Sequence, residues 1–89
     1  MPRISESKKK KISEQILSYL FLISPKQVFT SNIAKELARD EEFIKKLLLD
    51  LNNKGLVVKI NRNSLGQIYE RRLRWRLSNK TYEAYKQMQ

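Results

Sequence analysis

The sequence predicts a small α+β domain, mostly helical, in which three amphipathic helices precede a β-hairpin and a short closing helix. Three observations predict it. The chain has 89 residues, enough for one core and rarely for two, because a chain of this size buries only about 60 to 65% of the surface its unfolded form exposes. Apolar residues recur at helical spacing from residue 8 to residue 53. After Gly55 the spacing changes to alternation, the mark of a half-buried strand.

Residues 1–7 lack apolar periodicity and are expected to form a flexible basic arm, leaving 8–89 as the folded domain. In the first helix Ile12, Ile16, Tyr19, Leu20 and Ile23 share one face, and Ser24-Pro25 ends it because the residue before proline avoids the α region. Leu17 and Phe21 project off this stripe, and Leu22 lies on another side. Such apolar surface exceeds what one small core needs, so Leu17, Phe21 and Leu22 are assigned to a homodimer interface.

Val28-Phe29-Thr30 is a short β-prone triplet, and Ser31 is a candidate cap for a second helix whose Ile33, Ala34, Leu37 and Ala38 share a face. Asp40 caps a third helix with a stripe of Phe43, Ile44, Leu47, Leu48 and Leu51, closed by Gly55 at a left-handed position. With only about two residues between them, these two helices read as a helix-turn-helix. Leu56-Val57-Val58-Lys59-Ile60 is then a strand, and Asn61, Asn63, Ser64 and Gly66 supply turn chemistry. In the returning strand Leu73, Trp75 and Leu77 alternate with Arg72, Arg74 and Arg76, giving a two-stranded hairpin with one apolar and one basic face. Ser78 caps the last helix, where Tyr82 and Tyr85 lie one turn apart.

Charge narrows the function. The chain carries 19 Lys and Arg against 9 Asp and Glu, a net of +10, with neither His nor Cys. No thiolate or imidazole is available for a zinc site, a Cys nucleophile or a His-based triad, so no metal, no cofactor and no enzymatic activity is expected. The excess is uneven: net +4 over residues 1–11, zero over 12–55 and +6 over 56–89. Two basic flanks around a neutral centre point to a polyanionic partner, nucleic acid before an anionic membrane surface. The apolar run 16–23 is far too short to span a bilayer and no signal pattern precedes it, so a cytoplasmic, nucleoid-associated protein with no membrane partner is expected.

The order of elements resembles the winged helix-turn-helix domain of small prokaryotic transcription regulators, over nearly the whole chain from Lys8 onward. Ile33-Ala34-Lys35-Glu36-Leu37-Ala38 resembles the supporting helix, and the stretch from Leu47 to Lys54-Gly55-Leu56-Val57 resembles a recognition helix running into the first wing strand. Arg74-Trp75-Arg76-Leu77-Ser78 is similar to the Tyr-Arg-Leu-Thr stretch that opens the last helix of MarR-type and PadR-type repressors. Two departures stand out: the acidic and basic wing signature of MarR-type proteins is missing, and only about ten residues follow where those families have a long dimerising helix. The resemblance implies a homodimeric regulator that binds double-stranded DNA.

A helix fits the major groove, and a hairpin beside it can follow the backbone or reach the minor groove. Opposite the buried stripe of the third helix lie Glu42, Lys45, Lys46, Leu49 and Asn53. Of these, Lys45, Lys46 and Asn53 are the candidate groove contacts, since Lys donates to guanine or phosphate and Asn can pair with adenine. Leu49 is either a thymine-methyl contact or a plain exposed leucine. Glu41 and Glu42 complement the helix dipole and sit where base readers usually sit. Arg72, Arg74, Arg76 and Arg62 at the wing, with Lys8, Lys9, Lys10 and Lys11, are the candidate backbone contacts. Trp75 is read as core. Two other functions fit the same composition: a winged-helix module that docks onto transcription or replication proteins, and a binder of RNA or single strands that stacks bases on Trp75 and the tyrosines.

Overall fold

Residues 6–61, 65 and 72–88 are described by a computed structural model of the chain. Helix α1 runs over Glu6–Ile23, so Glu6 and Ser7 belong to the helix and not to an arm; residues 1–5 lie outside the described residues. Strand β1 is Val28–Phe29, and α2 is Thr30–Leu37. Ser31 is therefore inside α2. The N-cap is Phe29, whose side chain has no oxygen to offer and makes no capping hydrogen bond. After α2 come α3 at Glu41–Asn53, β2 at Val57–Ile60, β3 at Arg74–Leu77 and α4 at Asn79–Gln87. Among the described residues no helix is long and apolar enough to cross a membrane.

The two helices of the helix-turn-helix end in the same way. At the end of α2, Ala38 N–H bonds Lys35 O at 3.2 Å and Arg39 N–H bonds Ala34 O at 2.9 Å. At the end of α3, Gly55 N–H bonds Asn52 O and Leu56 N–H bonds Leu51 O, both at 3.0 Å. Each is a Schellman closure around a left-handed residue, with φ 54° at Ala38 and φ 77° at Gly55. The connection between α2 and α3 is three residues, Ala38, Arg39 and Asp40, and Asp40 caps α3 by accepting from Phe43 N–H at 3.0 Å.

The sheet has three strands in the order β1-β3-β2, both pairings antiparallel. The expected two-stranded hairpin thus gains β1, which pairs Val28 with Trp75 and Phe29 with Arg74. Residues paired directly share a face. Val28, Trp75, Val57 and Leu77 turn inward and are buried. Trp75 is wholly buried, a contribution of at most about 5 kcal/mol from its apolar area. Its indole N–H donates to Thr30 Oγ1 at 2.7 Å across 45 residues of chain, which leaves no buried polar atom orphaned there.

One core gathers α1, α2, α3 and the sheet. Ile12, Ile16, Leu17 and Leu20 all contribute to it from α1, because this helix packs against α2, α3 and β3 at once. Leu17, only 8% exposed, is thus a core residue and no part of a free face. Phe21 is half-buried, its ring centroid 5.4 Å from that of Tyr82 and 5.5 Å from that of Tyr85, so it docks α4 onto α1. Leu22 remains exposed, at 82%. Ser78 caps α4 by accepting from Thr81 N–H at 3.3 Å. Four helices with a three-stranded sheet, the middle pair of helices closely linked, make this a winged helix-turn-helix fold.

Candidate nucleic-acid interface

The buried side of α3 is formed by Ile44, Leu47, Leu48 and Leu51. Successive residues step by about 100°, so Glu42, Lys46 and Asn53 fall on the opposite side, and all three are exposed. Lys45 sits on a flank and is half-buried. Leu49 is neither fully exposed nor isolated: it is partly buried and packs against the core. Gly55 sets the direction in which β2 leaves α3, and Asn52 Nδ2 reinforces that corner by donating to Val57 O at 3.0 Å.

The arginines of β3 have an environment the alternation alone does not convey. The outward face of the sheet places Arg74 between Phe29 and Ile60, and Arg76 beside Val58. All five are half-buried, so this face is mixed apolar and basic, not purely basic. Arg76 Nη1 already donates to Leu77 O at 2.8 Å. Arg72 is exposed, with its guanidinium carbon 5.0 Å from the centroid of the Phe29 ring, a cation–π distance. It shares a small cleft with Glu41, at the start of α3. Arg62 lies outside the described residues.

Lys8, Lys9, Lys10 and Lys11 occupy the first turns of α1. Lys9 pairs with Glu6 at 3.5 Å, and Lys54, just past the end of α3, pairs with Asp50 of that helix at 3.1 Å. Lys9 and Lys10 share a groove with Lys46 and Lys54, so part of the N-terminal basic run lies beside α3. Sequence reasoning missed the aromatic seat of Arg72 on Phe29 and the role of Lys54. The first depends on β1 pairing with β3, which no local signal announces. The second follows from an i, i+4 spacing to Asp50 that was legible.

No family model matches the chain, and no curated protein matches its sequence. Solved structures do match its fold. A mutant MepR from a multidrug-resistant S. aureus clinical isolate superposes with a TM-score of 0.70 at 21% identity, covering 86% of this chain and 53% of that one. A S. aureus MepR–DNA complex gives a TM-score of 0.69 at 20% identity, with 93% and 54% covered. A mutant of Lactococcus lactis ZitR gives 0.63 at 20% identity, with 89% and 57% covered. The chain spans a little over half the length of each. At these identities the likeness is one of fold.

Proposed function

We propose that the chain is a sequence-specific double-stranded DNA-binding transcription regulator, with α3 in the major groove and the basic β2–β3 hairpin on the backbone or in the minor groove. The observation that carries this reading is the exposed side of α3. Lys46 and Asn53 project there from a helix capped by Asp40 at its start and closed by a Schellman motif at its end, in a fold shared with a MepR structure solved on DNA. Lys45 on α3 and Lys9 and Lys10 beside it supply further positive charge, Lys8 and Lys11 extend the basic run of α1, and Arg62, Arg72, Arg74 and Arg76 are the arginines assigned to the wing side. Arg72, which precedes β3 and is exposed where Arg74 and Arg76 within the strand are half-buried, is the leading backbone contact among them.

In this reading the protein acts as a homodimer. Of the three residues assigned to the interface, Leu22 keeps the role on α1; Phe21 supports it by fixing α4, and Leu17 leaves it for the core. A two-fold protein reads a palindrome. Selection from random duplexes tests the proposal: an enriched motif with two half-sites roughly one helical turn apart is expected. Recovery of no motif, with binding that vanishes at moderate salt, would leave only non-specific attraction and overturn it.

A further inference from the structure

Helix α3 carries five charged side chains, Glu41, Glu42, Lys45, Lys46 and Asp50, in different surroundings. Asp50 pairs with Lys54, Lys45 is half-buried on a flank, and Glu41 lines the small cleft that holds Phe29 and Arg72. Glu42 stands apart from these. At a step of about 100° per residue it lies about 180° around the axis from Leu51, in the middle of the buried stripe, with Lys46 about 40° and Asn53 about 20° away. It is thus at the centre of the exposed side of the helix. Its carboxylate is exposed and has no ion-pair or hydrogen-bond partner among the described residues, although Lys45 and Lys46 follow at i+3 and i+4. Nor does the start of α3 depend on it, since Asp40 caps that end by accepting from Phe43 N–H and Glu41 adds charge to the same turn.

We propose that Glu42 is a specificity-determining residue that selects cytosine at one position of each half-site by accepting a hydrogen bond from the N4 amino group. This rests on α3 lying in the major groove, as proposed above. The N-terminal residues of a recognition helix are the ones that meet base edges. An ionised carboxylate can only accept. In the major groove guanine presents the acceptors N7 and O6, thymine presents O4, and adenine sets its N7 acceptor beside its amino group. Cytosine alone offers a donor with no acceptor next to it on the same base. Toward phosphates the carboxylate costs affinity on every duplex alike, whereas the chain as a whole, at net +10, attracts them. Only a cytosine amino group offsets that cost, so Glu42 discriminates by what it repels as well as by what it accepts. Lys46, one turn on, has the opposite sign and draws in any backbone.

The test is selection from random duplexes on the full chain, run in parallel with the parent, Glu42→Ala and Glu42→Gln, with thermal melts to show all three folded. The parent motif should hold one fixed cytosine per half-site that Glu42→Ala relaxes to any base. Glu42→Gln should move the preference there to adenine, because an amide both donates and accepts and so pairs with N7 and N6 together. In titrations, exchanging that cytosine should weaken the parent roughly tenfold and the Ala variant less than threefold. On random duplexes Glu42→Ala should bind roughly two- to fivefold more tightly than the parent, the scale of one exposed repulsive charge removed. A carboxylate that served only the helix dipole would lower the melting temperature on removal and leave the motif unchanged. Identical motifs from parent and variants, or a motif whose Glu42-dependent position is not cytosine, overturn the proposal while the DNA reading stands. If the parent itself enriches no motif, the DNA reading falls and this assignment falls with it.

Discussion

Trp75 is tied to the helical layer by one hydrogen bond, from its indole N–H to Thr30 Oγ1. Thr30 is itself buried, so water cannot replace the hydroxyl. Thr30→Val keeps the shape and removes the acceptor, and should lower stability by about 1 to 3 kcal/mol in urea unfolding, whereas Thr30→Ser should recover most of it. Ala38 offers the opposite sign. An L-residue in the left-handed region is strained by about 1 to 2 kcal/mol, and glycine relieves this while adding unfolded-state entropy. Ala38→Gly should therefore stabilise the chain by about 0.5 kcal/mol, read as a rise in the urea midpoint at constant slope. Gly55 and the caps at Asp40 and Ser78 were legible in the sequence because their chemistry acts within four residues. Ala38 was not: alanine carries no mark of the turn it makes, and the left-handed twist is imposed by α3 having to fold back on α2.

The same division between local and distant causes runs through the elements. The stripe of α3 was readable because that helix buries one side, whereas α1 buries a much wider arc. Packed on α2, α3 and β3, it takes in Leu17 as well as Ile16, and periodicity gives a direction without the width of what covers it. The β-prone triplet at residue 28 was visible, but its partner, some 45 residues on, was not. Within the candidate site, the exposed α3 residues followed from the helical period, while the seating of Arg72 and Arg76 followed from strand pairing and remained hidden. The junction of α4 with α1 is the element most open to test. Phe21→Ala should cost about 2 kcal/mol, less than a fully buried ring, and speed amide exchange in α4 well before α3 is affected. Leu22→Ala, on the exposed side of the same helix, should stay within about 0.5 kcal/mol at concentrations where the chain is monomeric.

For the whole molecule, the charge distribution makes a joint claim about affinity and choice of sequence. Replacing Arg72, Arg74 and Arg76 together by Ala should weaken all duplexes alike and flatten the salt dependence by about one unit for each phosphate no longer neutralised, with Arg72 alone giving the largest share. Lys46→Ala or Asn53→Ala should instead cost about 1 to 3 kcal/mol on a selected site and less on random DNA. Equal penalties on both would remove the division of labour between α3 and the wing. The strand order has a consequence of another kind. Both neighbours of β3, namely β1 and β2, precede the wing in the chain, while β3 and α4 follow it. A cut in the backbone between Asn61 and Arg72 therefore severs none of the described strand pairings, and Trp75 still meets Val28, Thr30 and Lys59 of the other piece. The two pieces should stay together through gel filtration in native buffer and part in urea. The domain could thus be divided at its wing and reassembled from halves, so that each half reports the presence of the other.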